Sequence, residues 1–158
     1  MIILSQSIWD AILKEFHWPL LKVERVAYID GIRCGDSLVA TTLTFPNAEM
    51  HLRYFTVSGD SMSEAGQHFR HFGMERLAQV HTHPGSDVSH SLFDDENAYC
   101  QLDGSVSIVI PYYGQYRSDL TKCGVHIREP NGWRRLNKGE IEHVIKIIPG
   151  CLDFRRIE

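Results

Sequence analysis

The sequence predicts an α+β fold of the mixed α/β kind, with strands in the middle of the chain and helices at both ends and between them. Three observations predict it. Residues 5–17 follow a helical period that puts Ile8, Ile12, Leu13 and Phe16 on one face. Between residues 23 and 57 the texture changes to β, with apolar runs separated by turn residues. Farther on, Val106-Ser107-Ile108-Val109-Ile110 is a nearly continuous apolar run that suits a central buried strand.

In chain order, Ser5 or Ser7 can cap the first helix and His17-Trp18-Pro19 ends it. Val26 and Tyr28 lead into residues 31–36, which read as a turn. Residues 38–45 and 51–57 follow as two strands separated by Pro46-Asn47. Ser61 and Glu64 form a capping-box pattern and Gly73 is a C-terminal stop, so residues 62–72 are expected to be helical. Ala78-Gln79-Val80 reads as the tail of a strand, and Ser91 as the cap of a further helix. After the central strand, Tyr112-Tyr113-Gly114 turns into less regular ground. Residues 124–128 and 133–136 read as edge strands, and residues 139–148 as a final helix. At 158 residues, with no repeat, linker or low-complexity segment, the chain 1–158 is expected to be a single domain with a real core.

Composition excludes several classes. An apolar fraction of 43% and a charged fraction of 23% are ordinary for a globular protein. A net charge of -4 without a basic run leaves no electrostatic footprint for nucleic acid. No apolar stretch is long enough to span a bilayer, so neither nucleic acid nor membrane is expected as a partner. The opening Met-Ile-Ile-Leu is too short for a signal peptide. Cys34, Cys100, Cys123 and Cys151 are scattered, without a C-x-x-C pair, and read as free thiols of a cytoplasmic protein. Cys100 and Cys123 are expected to be small core residues.

The chemistry concentrates in His81-Thr82-His83-Pro84 and the following Ser91-Leu92-Phe93-Asp94. Side chains at i and i+2 of a strand share a side, so His81 and His83 can present two imidazoles to one point. Pro84 then stops the strand. Asp94, on the first turn of the helix that Ser91 caps, brings a carboxylate within reach. Two imidazoles and a carboxylate make a three-ligand set for zinc with a fourth position open. Taken singly, an H-x-H pair is weak evidence and the Ser91/Asp94 pair reads as a plain capping box. Their combination in one segment carries the signal.

These residues resemble the JAMM (JAB/MPN) metalloprotease signature, H-x-H-x7-S-x-x-D with a glutamate upstream. His81, His83, Ser91 and Asp94 match its fixed positions. Glu24 and Gly31 match the upstream E-x-x-G-x-x-x-G, which departs at Ala27, a residue small enough to keep close packing. The resemblance runs from about Glu24 to the strand near Ile110 and implies a curved central sheet flanked by helices. It also implies zinc held by His81, His83 and Asp94, Glu24 as general base and Ser91 stabilising the oxyanion. Zinc would lower the pKa of its bound water from about 16 toward 7.

The substrate class comes from the resemblance alone: a peptide or isopeptide bond after the C-terminal tail of ubiquitin or a ubiquitin-like protein. A short member resembles the bacterial stand-alone kind, which accompanies ubiquitin-like conjugation or sulfur-carrier systems, including antiphage defence. Two other classes are a non-catalytic MPN scaffold and a DNA-repair-associated JAB (RadC-like) protein. Residues 84–90, with Val88 as the apolar anchor, are expected to be mobile and to receive an extended substrate tail. Asp87, His90 and Asp95 read as loop or rim residues, and His68 with His71 as an exposed helical face. Ser58-Gly59-Asp60-Ser61 lacks the G-x-S-x-G of a nucleophile elbow, and the zinc deaminase pattern is absent.

Overall fold

The computed structural model describes residues 1–152 and residue 154. The chain opens with strand β1 (Ile2–Ser5), where Ile2 and Leu4 alternate inward. The opening residues, weighed above only as a signal peptide, are therefore part of the sheet. Ser5 ends the strand and caps α1 (Gln6–Phe16) by accepting the Ile8 N–H at 3.3 Å. Trp9, Ile12, Leu13 and Phe16 of α1 are buried, each contributing about 1.5–3 kcal/mol of apolar burial.

Strand β2 (Val26–Cys34) forms a hairpin with β3 (Ser37–Thr44). The expected turn over residues 31–36 is thus confined to Gly35-Asp36, with Gly35 at φ +58°. Gly31 lies inside the strand for a packing reason: a Cβ there would fall 2.0 Å from the Val39 carbonyl oxygen. The expected strand 51–57 is replaced by a small separate hairpin, β4 (Ala48–Met50) with β5 (Phe55–Val57). Helix α2 (Gly59–Phe72) starts earlier than expected because Ser58, not Ser61, is its cap. Gly73, in the left-handed region at φ 63°, ends it as expected.

Strand β6 (Glu75–Thr82), the short helix α3 (Leu92–Glu96) and strand β7 (Val106–Ile110) follow. Strand β8 (Gly124–Glu129) pairs on both sides and lies inside the sheet, so of the two expected edge strands β9 (Gly132–Arg135) is the one at an edge. The expected helix over residues 139–148 divides into α4 (Lys138–Val144) and strand β10 (Ile145–Ile148). Asn137 caps α4 in a capping box with Glu140. Residues 145–148 extend because β1 offers them a parallel ladder, a tertiary partner that overrides the local helical period.

The eight-stranded sheet runs β10-β1-β3-β2-β6-β7-β8-β9 and is curled, with helices packed around it. One face carries Ala27, Ile29, Ala78, Val80, Ile108, Ile110 and Val125 against α1, forming the main core. The opposite face of β2 carries Val26 and Tyr28, which pack with Phe55 in a smaller apolar cluster. Here Asp30, fully buried, pairs with Arg76 at 3.0 Å, and the guanidinium lies 3.7 Å from the Tyr28 ring centroid. Among the described residues, no helix is long and apolar enough to cross a membrane. All four cysteines are free; Cys123 is buried as expected, whereas Cys100 is only half-buried.

Candidate metal centre

Strand β6 is central, flanked by β2 and β7, and this placement buries His81 completely. His83 lies one residue beyond the strand, its N–H donating to the Ile110 carbonyl at 2.9 Å. Asp94, on the first turn of α3, meets both imidazoles. His81 Nε2 and His83 Nε2 are 3.3 Å apart. Asp94 Oδ1 is 3.4 Å from His81 Nε2 and Oδ2 is 3.2 Å from His83 Nε2. Zinc–ligand bonds of about 2.0–2.1 Å at tetrahedral angles give ligand–ligand edges of roughly 3.3 Å. The separation of the two imidazole nitrogens matches that edge, and the carboxylate flanks both rings, meeting each through a different oxygen. Two imidazole lone pairs and a carboxylate converging at this distance repel unless a proton or a cation lies among them, so the donor set fits a metal ion.

Second contacts orient the donors. His83 Nδ1 is 3.1 Å from the Asp87 carbonyl oxygen, an acceptor that places the ring proton on Nδ1 and leaves Nε2 free to ligate. His81 Nδ1 faces the Gln79 side-chain amide at 3.4 Å. Asp94 Oδ2 accepts the Ser91 N–H at 2.7 Å and the Ser91 hydroxyl at 2.8 Å, and Ser91 Oγ accepts the Asp94 N–H at 3.1 Å. Ser91 therefore holds the carboxylate in place. Burial lowers the His81 imidazole below its ordinary range. Burial also opposes charge on His83, but the hydrogen bond and charge of Asp94 outweigh it and the net shift is upward. For Asp94, burial is outweighed by hydrogen bonds from His81 and His83, which keep its carboxyl far below the usual carboxylate range.

Glu24 stands apart from the donors. It lies two residues before β2, with its N–H on the His51 carbonyl at 2.7 Å. Arg25 next to it is tied to the end of β6: its N–H donates to Thr82 Oγ1 at 2.9 Å and its carbonyl accepts the Thr82 N–H at 3.1 Å. The Glu24 side chain is buried, and its Oε2 has no hydrogen-bond partner. Burial raises its carboxyl to about 7, with His83 lowering it and Asp94 raising it further. A buried, unpartnered carboxyl that titrates near neutrality beside a metal-type donor set suits proton transfer.

Of the flanking residues, Asp87 and Asp95 lie at the rim as expected, and His90 is a correction. His90 is not a rim residue: its side chain is 5% exposed, with Nδ1 on Asp95 at 2.9 Å and Nε2 on Ser107 Oγ at 3.0 Å. It stacks on His126 with ring centroids 4.0 Å apart, and burial lowers both imidazoles to about 3. A sequence signal for this row existed in the alternation of β8 and β7, which puts His126 opposite Ser107 on the face that carries His81. Residues 84–90 are also better anchored than expected. Val88 is 4% exposed, its carbonyl lies against Gly124, and Gly85 accepts the Tyr112 N–H at 3.0 Å. His68 and His71 are exposed as expected, and no cysteine joins a metal-type cluster among the described residues. A groove of about 650 Å³ between β3 and α2 includes none of the donors.

Solved structures share this architecture at low identity. A protein of Desulfitobacterium hafniense, determined in solution, is 17% identical with a TM-score of 0.71 over 94% of each chain. A solution structure from Salinibacter ruber is 16% identical, with a TM-score of 0.58 over 87% of this chain and 89% of the other. A crystal structure of a JAB1/MPN domain protein from Archaeoglobus fulgidus is 16% identical, with a TM-score of 0.50 over 94% of this chain and 97% of the other. No protein-family model matches the sequence, and no curated protein does. At such identities the likeness is one of fold: this chain has a mixed α/β fold similar to that of a JAB1/MPN domain protein.

Proposed function

We propose that the chain is a zinc-dependent amide hydrolase, a peptidase or isopeptidase that cuts after the C-terminal tail of a ubiquitin-like protein. The observation that carries the hydrolytic reading is the convergence of His81, His83 and Asp94 on one point beside the buried Glu24 carboxyl, whose Oε2 has no partner. The substrate class rests on the signature described above. Bound zinc would supply Lewis-acid activation of water and of the carbonyl under attack.

The chain's own residues supply the rest. His81, His83 and Asp94 hold the ion, with their orientation set by Asp87, Gln79 and Ser91. Glu24 takes the proton of the attacking water and returns it to the leaving amine, a role suited to a carboxyl near 7. The Ser91 hydroxyl has one proton, which it gives to Asp94. To steady the carbonyl oxygen it turns that proton toward the substrate, and such a donor is commonly worth about 3 kcal/mol.

The test uses fusions that carry a flexible ubiquitin-like C-terminus ahead of a reporter, and the same tail embedded in a folded domain. Wild type is expected to cut the flexible fusion alone; Glu24→Gln and chelated wild type are expected to cut neither. Cleavage that survives chelation, or no cleavage of any ubiquitin-like fusion, overturns the reading. A scaffold would show no zinc and no turnover.

A further inference from the structure

Beyond β7 the backbone makes an unusual bend. Tyr112 and Tyr113 both occupy the left-handed region, at φ 55° and 54°. For a residue with a Cβ this region is uncommon, and two in succession persist only where the surroundings over-determine them. Here they do. The Tyr112 N–H donates to the Gly85 carbonyl at 3.0 Å and the Tyr113 N–H to the His83 carbonyl at 2.7 Å. Gly114, at φ 71°, seats the bend against α1, where a Cβ would lie 2.8 Å from Phe16 Cβ.

The bend delivers the Tyr113 hydroxyl to the Leu52 carbonyl oxygen at 2.9 Å. Leu52 lies in the tip between β4 and β5, and the neighbouring His51 carbonyl accepts the Glu24 N–H at 2.7 Å. The tip is closed on itself by the His51 N–H on the Tyr54 carbonyl at 2.9 Å. Tyr54 also stacks on His51 at 4.2 Å and meets Phe93 of α3 at 5.3 Å. Tyr113 is thus joined by its main chain to a metal-type donor residue and by its hydroxyl to the tip that holds Glu24.

We infer that Tyr113 is a positioning residue, a latch that fixes the tip of residues 51–54 and thereby the place of Glu24 relative to His83. Its importance for turnover rests on the hydrolase reading, whereas the latch itself does not. Local ring contacts also touch the tip, so the hydroxyl has to be separated from the ring. Tyr113→Phe removes the hydroxyl and keeps the ring. Tyr113→Gly removes both, accepts the left-handed backbone without strain and keeps the N–H to His83.

Amide hydrogen exchange on the full-length, metal-free protein reads the latch directly. In Tyr113→Phe the amides of Glu24 and of residues 51–55 are expected to exchange about tenfold faster, the effect of losing one net hydrogen bond, with β6 and β7 unchanged. Tyr113→Gly is expected to do at least as much. Unchanged exchange in Tyr113→Phe overturns the latch, as does acceleration in the glycine variant alone, because the ring would then hold the tip. With zinc and a cleavable fusion, Tyr113→Phe is expected to lower kcat about tenfold with KM and zinc affinity within about twofold of wild type. A loss confined to KM or to zinc affinity overturns the positioning of Glu24. If wild type cuts nothing, the hydrolase reading fails while exchange still decides the latch.

Discussion

Glu24 and the donor triad ask opposite things of the same small volume. The triad needs negative charge and neutral imidazoles, while Glu24 is kept from ionising by burial near Asp94. In the metal-free protein its carboxyl sits at about 7 against an ordinary 4.5, so the fold favours the protonated form. The contribution of Glu24 to stability is fully present below about pH 4.5 and is lost as pH rises through about 7. Glu24→Gln does not titrate, so the metal-free variant is expected to gain up to about 3 kcal/mol on wild type between pH 4.5 and 8. Denaturant melts of both proteins across that range check it; a pH-independent difference would refute the buried ionisable role. The same variant is expected to keep its zinc, because Glu24 is not among the donors. His81→Ala and His83→Ala, which remove donors, are expected to lose zinc by elemental analysis.

Among the elements, α3 and the 84–90 segment do the orienting. Ser91→Ala removes a helix cap and a hydrogen bond to Asp94, and is expected to cost about 1 kcal/mol in stability and about tenfold in zinc affinity. A competition titration with a chelating dye measures the second effect, and undiminished affinity would show that the Ser91 N–H alone suffices to hold Asp94. Gly124 on β8 tests the other side of the site. A Cβ there would stand 1.9 Å from the Val88 carbonyl oxygen, so Gly124→Ala must push the segment that carries the Asp87 carbonyl. It is expected to destabilise the fold by about 1–3 kcal/mol and to weaken zinc binding without touching a donor. Equal zinc affinity in this variant would argue that the Asp87 contact to His83 is dispensable.

At the scale of the whole molecule, the donors come from a central strand and a capped helix that are held together only by the folded sheet. Binding that requires the native arrangement stabilises it by linkage. Zinc at a hundred times its dissociation constant is expected to add about 2.7 kcal/mol to unfolding, seen as a rise in Tm that chelator reverses. His83→Ala is expected to show no such rise. A zinc-dependent shift in that variant would place the metal elsewhere in the chain.

The donor set was legible in the sequence because each of its signals is local. Alternation along a strand puts His81 and His83 on one side, Pro84 stops the ladder, and the cap at Ser91 fixes Asp94 three residues on. The first helix, the stop at Gly73 and the buried strand Val106–Ile110 were legible for the same reason. The tertiary structure alone decided what depends on distant segments meeting. Residues 145–148 are a strand because β1, at the other end of the chain, pairs with them. Gly31 reads locally as a turn and is instead a site of close approach to Val39. His90 reads as a loop residue until Asp95, Ser107 and His126 enclose it. Glu24 matched a pattern in the sequence, but its unpartnered oxygen and its carboxyl near 7 arise only when the fold buries it, with Asp94 adding to the upward shift and His83 opposing it. Local signals are carried by a few neighbouring residues and survive in any context; a shifted proton or a buried ring needs the whole fold to exclude water.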